Sequence, residues 1–226
     1  MTSGAFEFDG ARPKLPSGRH GLSRRFVQSN QRARILNATI EAAAELGYAS
    51  TNVEDIVRRA GVSRRTFYEL FGNKHDAFLA AYDAAAKGLF AAVEEAMGRE
   101  SAFEPRIVAG FAAFVGHLAE LPGPARVCIV EALAAGPDAA ARRTEVMTGF
   151  ARVIDESARS LPHYAAMPTM TAEAIVGGAY DAVFRHLSSG RELMSLLPDL
   201  VEVALLPYVG RDVARRHGEE LRSEHT

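Results

Sequence analysis

Apolar residues recur every three to four positions along most of the chain, the spacing of one face of an α-helix. Between residues 23 and 46, Ile35, Thr39, Ala42 and Leu46 share such a face, with Ser23 placed to cap the helix and Gly47 to stop it. Two short helices are predicted next. Thr51 begins the first, and Thr51 with Glu54 has the spacing of a capping box, each side chain satisfying a free N–H of the other's turn. Gly61 interrupts, and Ser63 can cap the second, which ends near Phe71. Asn73 then caps a long helix, with Asp76 complementing its positive N-terminal dipole. Phe78, Tyr82, Leu89, Val93 and Met97 stripe that helix as far as Gly98.

Ile107, Phe111, Phe114 and Leu118 stripe a further helix, which Pro122-Gly123 closes. Pro124 suits the first turn of a helix ending near Gly136. Pro137 opens another, striped by Val146, Phe150 and Val153 until Pro162. Thr171 is expected to cap a helix carrying Val176, Tyr180, Val183 and Leu187, ended by Gly190. The last main helix covers residues 192–209, and Pro198 inside it means a kink or a start at that point. A short helix is expected from Arg211 to His217. Abundant alanine, and no run of three β-branched residues, favour helix over strand throughout.

Hydrophobic residues make up 48% of the 226, enough for a real core. No apolar run approaches the roughly 18 residues of a membrane span, so no membrane partner is expected. The first ten residues carry Glu7 and Asp9 and do not read as a secretory signal. One cysteine, Cys128, allows no internal disulfide, and a cytoplasmic location fits. The net charge of −2 conceals an asymmetry: residues 1–75 hold 12 Lys and Arg against 7 acids, which leaves −7 on the remainder. No acid lies between Gly10 and Ile40. A basic head on an acidic body is either the footprint of polyanion binding or a solvated basic tail.

The informative stretch runs from Val53 to Lys74. Ile56, Val57 and Ala60 give the first short helix an inner face, Gly61 permits a tight turn, and Val62 plugs the angle beyond it. Phe67, Leu70 and Phe71 bury the back of the second. That leaves Ser63, Arg64, Arg65, Thr66 and Tyr68 at the outward N-terminal part, where a recognition helix meets base edges in a major groove. Arginine is the best reader of guanine there. Ahead of this module, residues 1–22 are Gly/Pro-rich, without periodicity, and read as a flexible basic arm. The arm, with Arg24 and Arg25 behind it, either enters a minor groove, only screens phosphates, or is plainly disordered.

With Val53-x-Asp55-Ile56, Ala60-Gly61-Val62-Ser63-x-x-Thr66-Phe67-Tyr68-x-x-Phe71 and Lys74, the chain resembles the tetracycline-repressor (TetR) family of transcriptional regulators. The resemblance implies an all-α protein. A three-helix head with a helix-turn-helix (23–72, after the arm 1–22) is followed by a helical effector-binding and dimerisation body (73–226). It implies a double-stranded DNA operator as partner, usually repression, and phosphate contacts at Thr51, Tyr68 and Lys74. Leu70 stands where the family usually has Tyr or His, a departure that removes one expected phosphate contact. The resemblance further implies a homodimer through the last two long helices. Gly177, Gly178, Ala179 and Ala182 permit close approach there, and Leu196, Leu197, Leu200, Val203 and Leu206 supply apolar area. It places a small-molecule effector in the middle helices, where Phe111, Phe114, His117, Met147, Phe150, Tyr180 and Phe184 either line a pocket or fill a core. His117, Glu131 and Arg126 are polar groups in apolar helices that orient a ligand or face solvent.

Nothing in the sequence favours an enzyme. It has no Gly-rich phosphate loop, no His-Glu-x-x-His and no nucleophile elbow. The seven histidines are scattered with no pair at ligand spacing, so neither a metal nor another cofactor is expected. Cys128 lies in an apolar helix, where an inert thiol is expected.

Overall fold

The computed structural model describes residues 23–224, and the basic arm 1–22 lies outside them. Every regular element among the described residues is helical. In order they are α1 (Arg24–Leu46), α2 (Val53–Ala60), α3 (Arg64–Leu70), α4 (Lys74–Gly98), α5 (Phe103–Glu120) and α6 (Pro122–Arg126). A π-helical turn (Val127–Glu131) leads into α7 (Ala132–Ala134). The chain continues with α8 (Pro137–Ala158), α9 (Thr171–Ser189), α10 (Leu197–Val209) and α11 (Arg211–Glu224). The residues fall into two compact units. One holds the described residues as far as Gly88 together with Arg126–Ala140, and the other holds Leu89–Ala125 and the residues from Ala141 onward.

The first unit is built around α1. Ser23 accepts a hydrogen bond from the Phe26 N–H at 3.2 Å and starts the helix, and Gly47, at φ 80°, ends it. Ala33, Ile35, Leu36, Ile40, Ala42 and Ala43 are buried along its length against Ile56, Val57 and Ala60 of α2 and the wholly buried Phe67 of α3. The Phe67 ring meets Tyr68 and Phe71, with centroids 5.4 and 5.8 Å away. Burial of such a side chain is worth roughly 1.5–3 kcal/mol, which makes Phe67 a main anchor of so small a helix. Between α2 and α3, Gly61 adopts the left-handed conformation at φ 59°, and Arg34 of α1 reaches across to donate to the carbonyls of Ala60 and Gly61.

Two N-terminal caps differ from the sequence expectation. The capping box of α2 sits one residue later than Thr51 and Glu54. Asn52 accepts from the Asp55 N–H at 3.0 Å, and Asp55 accepts from the Asn52 N–H at 3.2 Å. The two candidate pairs are offset by one residue, and the better N-cap wins. Thr51 is drawn instead to Gly47, whose carbonyl accepts its hydroxyl at 2.8 Å. Thr171 is the first helical residue of α9 rather than its cap; Met170 precedes it without a side-chain bond, and the Thr171 hydroxyl donates to the Pro168 carbonyl. Asn73 does cap α4, accepting from the Asp76 N–H at 2.9 Å.

In the second unit, α10 packs against α5, α9 and α11. Phe103 of α5 meets Tyr208 of α10 edge-on, with centroids 5.1 Å apart, and Ile107, Val115, Val183, Val201 and Leu205 are buried around them. Pro198 stands in the first turn of α10, after a short 3-10 turn at Met194–Leu196, so the helix starts there and does not kink. The last helix runs to Glu224 instead of His217, held by Arg222 to Asp199 and Glu202 and by His217 to Glu104. The helix expected from Pro124 begins at Pro122 and carries the π turn, which periodicity does not reveal. Among the described residues no single helix is long and apolar enough to cross a membrane.

Candidate nucleic-acid interface

α3 is short, and its backbone is fixed from its own first turn. Ser63 accepts from the Thr66 N–H at 3.0 Å, and the two hydroxyls share a hydrogen bond of 2.9 Å. With the back of the helix committed to Phe67, the front stands in solvent. The Arg65 side chain is 89% exposed and touches only Glu69, one turn on, at 2.9 Å. Arg64 is exposed beside Glu54 at 3.5 Å, and Tyr68 is half in solvent. Exposed pairs of this kind contribute little and exchange readily for a stronger anion. Arg24 and Arg25 are exposed in the first turn of α1. Chemically, the face offers two guanidinium forks, hydroxyls and a phenol on one rigid helix.

Thr51 and Lys74 are placed differently. Thr51 is buried, with its hydroxyl and its N–H both given to the Gly47 carbonyl. The Lys74 ammonium donates to the carbonyls of Thr51 at 2.7 Å, Tyr48 at 3.0 Å and Ala49 at 3.4 Å, and lies 4.5 Å from the centre of the Tyr48 ring. Lys74 thus pins the α1–α2 connection from the first residue of α4.

The same connection is held from a distant stretch of sequence. Glu131, buried on the π turn, accepts the Tyr48 N–H at 2.7 Å and pairs with Arg126 at 3.5 Å. The Tyr48 hydroxyl meets the His75 imidazole at 3.1 Å, and His75 reaches Asp138 at 3.3 Å. Glu131 therefore neither faces solvent nor stands free for a ligand. Its one sequence signal is that it is the lone charge in the apolar run Val127–Ala135. Cys128, on the same turn, is buried, and burial, with Asp83 nearby, pushes its thiol up to about 12, the protonated and unreactive state.

The effector candidates lie in the second unit. Phe150 is brought to Phe114, with centroids 6.0 Å apart, and to Phe90 at 5.0 Å. Phe90 falls one position off the α4 stripe, which is why the sequence pattern passed over it. Phe111 is buried, while His117, Met147 and Phe184 are half-buried. Burial holds the His117 imidazole below the ordinary histidine range, with Glu120 pulling the other way. Tyr180 lies beneath the Arg143 guanidinium, 4.0 Å from ring centre to carbon. A separate cleft of about 420 Å³ opens among Glu94, Met97, Phe103, Arg106, Val153 and Ser157, and none of the sequence candidates lines it. Among the described residues no group of His, Cys, Asp or Glu could hold a metal ion.

Two short helices joined at a left-handed glycine, with the second turning an arginine-bearing face to solvent, define a helix-turn-helix of the kind bacterial transcription regulators carry. Residues 35–81 match the family described as bacterial regulatory proteins, tetR family. The likeness to that family covers the helix-turn-helix and its flanks. The chain is 31% identical over 98 residues to the uncharacterized HTH-type transcriptional regulator YezE of Bacillus subtilis, covering 43% of this chain and 50% of that protein. It is 28% identical over 101 residues to the HTH-type transcriptional activator FasR of Mycolicibacterium smegmatis, covering 45% and 46%. The match thus spans about half the length of these relatives. The fold is similar to that of the fatty acid degradation regulator FadR from Bacillus halodurans, with TM-score 0.69, 20% identity and coverage of 80% of this chain and 95% of that one. It is also similar to FadR from Bacillus subtilis, solved in complex with stearoyl-CoA, with TM-score 0.67, 20% identity and coverage of 78% and 97%.

Proposed function

We propose that this protein is a cytoplasmic, ligand-responsive transcription regulator. It binds a palindromic operator as a homodimer, represses, and lets go when a small apolar effector binds its second unit. It acts by binding and not by catalysis. The observation that carries this reading is the outward face of α3. Arg64, Arg65 and Tyr68 stand free of the core on a helix whose backbone is fixed by Ser63 and Thr66, which is what base readout in a major groove requires. Arg24 and Arg25 add phosphate contacts. Thr51 and Lys74 would touch phosphate only in addition to their internal bonds.

Support for the dimer comes from α9 and α10. Leu196, Leu197 and Leu200 are spent in the unit's own core, but Val203 and Leu206 on α10 are 58% and 44% exposed, and Gly177 and Gly178 on α9 have open space before them. Support for an apolar effector comes from the Phe90, Phe114 and Phe150 cluster, and support for a small-molecule effector from the similar FadR fold, solved in complex with stearoyl-CoA. The mechanism is a population shift. The dimer samples separations of its two α3 helices, and only those near 34–36 Å or a multiple suit successive major grooves. The effector prefers another separation and weakens DNA binding by its differential affinity. α4 runs from the first unit into the second and is the lever. Activation in place of repression is the second reading, favoured by the name of the FasR relative.

Binding to genomic fragments, measured across salt concentrations, tests the core of this reading. Affinity is expected to fall by about one log unit per phosphate contact per log of salt. A flat salt response, or no specific fragment at low salt, overturns it. Within that assay Arg65→Ala is expected to cost roughly 1–3 kcal/mol and to relax preference at one base position. Sites selected from random DNA by that variant should show the loss, and an unchanged preference removes Arg65 from the reading face.

A further inference from the structure

The cleft of about 420 Å³ in the second unit is walled by three helices that bring charges of both signs to it. Glu94 comes from α4, Arg106 from α5 and Glu156 from α8. Val153, Glu156 and Ser157, at positions i, i+3 and i+4, set one face of α8 on the cleft, and Ser160 follows just past the helix end. A helix face turned onto its neighbours is ordinarily apolar. This one carries a carboxylate and a hydroxyl. The apolar part of the wall is supplied instead by the buried Met97 and Phe103.

The charges beside the cleft are answered, and those that line it are not. Arg99 holds Glu95 at 2.5 Å, Arg159 holds Asp155 at 3.5 Å, and His217 meets Glu104 at 3.0 Å. Among the described residues, the Arg106 guanidinium has no acidic partner, and its Nε is closed off from solvent without a hydrogen bond. Neither Glu94 nor Glu156 has an ion pair among them. A guanidinium donor left unsatisfied away from water is costly, and such groups are usually answered by a partner. Ser157 and Ser160 give their hydroxyl protons to the carbonyls of Val153 and Ser157 at 2.7 and 3.4 Å, so each keeps lone pairs able to accept.

We propose that this cleft is a second ligand site and that it takes a free α-amino acid with an apolar side chain. Arg106 receives the carboxylate. Glu94 and Glu156, with the serine hydroxyls, receive the ammonium, and the side chain rests on Met97 and Phe103. A simple anion would face two carboxylates, and a simple cation would face Arg106. A zwitterion answers both signs at once, which is what electrostatic complementarity selects. The volume lies in the range of small-molecule sites. Phe90, Phe114 and Phe150 take no part in the lining, so the site is independent of the apolar-effector reading.

The test uses the full chain and calorimetry with leucine, methionine and phenylalanine. Each is offered as the free amino acid, as its amide, which lacks the negative charge, and as its N-acetyl form, which lacks the positive one. At least one free amino acid is expected to bind with Kd below about 1 mM and about tenfold tighter than both of its derivatives. Arg106→Gln is expected to bring it down to the level of the amide, while Arg106→Lys keeps part of the preference. The Glu94→Gln, Glu156→Gln double variant is expected to bring it down to the level of the N-acetyl form. Melting temperatures show which variants are folded, and the glutamate pair keeps the test open if Arg106→Gln is not. Phe150→Leu is expected to leave binding unchanged; a loss as large as that of Arg106→Gln would place the ligand in the aromatic cluster and overturn the proposal. No binding of any of the three amino acids, equal binding of free and derivatised forms, or a preference over the amide that survives Arg106→Gln overturns it as well. Each of these failures leaves the operator and apolar-effector readings standing.

Discussion

Replacing Lys74 with methionine is expected to lower the unfolding free energy by about 3 kcal/mol, a value set by two good charge-assisted hydrogen bonds at roughly 1.5–3 kcal/mol each, reduced for partial exposure. The ammonium has three N–H donors, and the Thr51, Tyr48 and Ala49 carbonyls take them. Methionine keeps the length and apolar stem of the side chain and offers no donor. It therefore isolates the loss at those carbonyls from any loss of packing. The connection they belong to carries Asn52, the cap of α2, so loosening it also loosens the base on which α3 stands. The expected pattern is a clear drop in thermal and urea midpoints, with weaker operator binding whose salt dependence keeps its slope. A phosphate contact would leave the opposite trace: unchanged stability and a salt slope shallower by about one unit. Unfolding curves and a salt series on the same variant separate the two roles, and the second pattern would return Lys74 to the DNA.

How far the sequence reveals the molecule depends on whether the determinant is local. The helices of the head, the Gly47, Gly61 and Gly190 stops, the Ser63 and Asn73 caps and the burial of Phe67 and Phe71 are set within a few residues of each other, and the structure holds these. Where two local signals overlap, as at Thr51 and Asn52, composition cannot rank them without the geometry of the preceding turn. The exposed side chains on α3 are legible because burying Phe67 decides which residues face out. The π turn is not legible, since a single wider turn leaves no mark on the apolar spacing. The pairing of Glu131 with Tyr48 joins positions 83 residues apart. The partners of Phe150 and Arg143 likewise come from other helices, so periodicity names the faces but not what they meet.

The second large effect is expected at Glu131. Glu131→Ala removes the acceptor of the Tyr48 N–H and the partner of Arg126 from a site only 7% exposed. Breaking a buried pair in this way costs about 3–5 kcal/mol; because Arg126 is 40% exposed, a value near the lower end is expected. Glu131→Gln retains a carbonyl oxygen able to accept from Tyr48, and it should keep most of the stability while losing the ion pair. If the two variants are equally destabilised, the charge and not the hydrogen bond holds the turn. Tyr48 also gives its carbonyl to Lys74, so one residue of the α1–α2 connection is gripped at both its N–H and its carbonyl. Two grips on one short segment should not act independently. Once either is released, the segment can shift and the other loses its geometry, so the Lys74→Met, Glu131→Ala double variant should be less destabilised than the sum of the singles. A coupling of roughly 0.5–3 kcal/mol is the range for residues that share a partner. Urea unfolding of the four proteins gives the cycle directly. Additive losses would mean that Lys74 and Glu131 support the helix-turn-helix separately, and that the stretch from Arg126 to Ala140 only packs beside it.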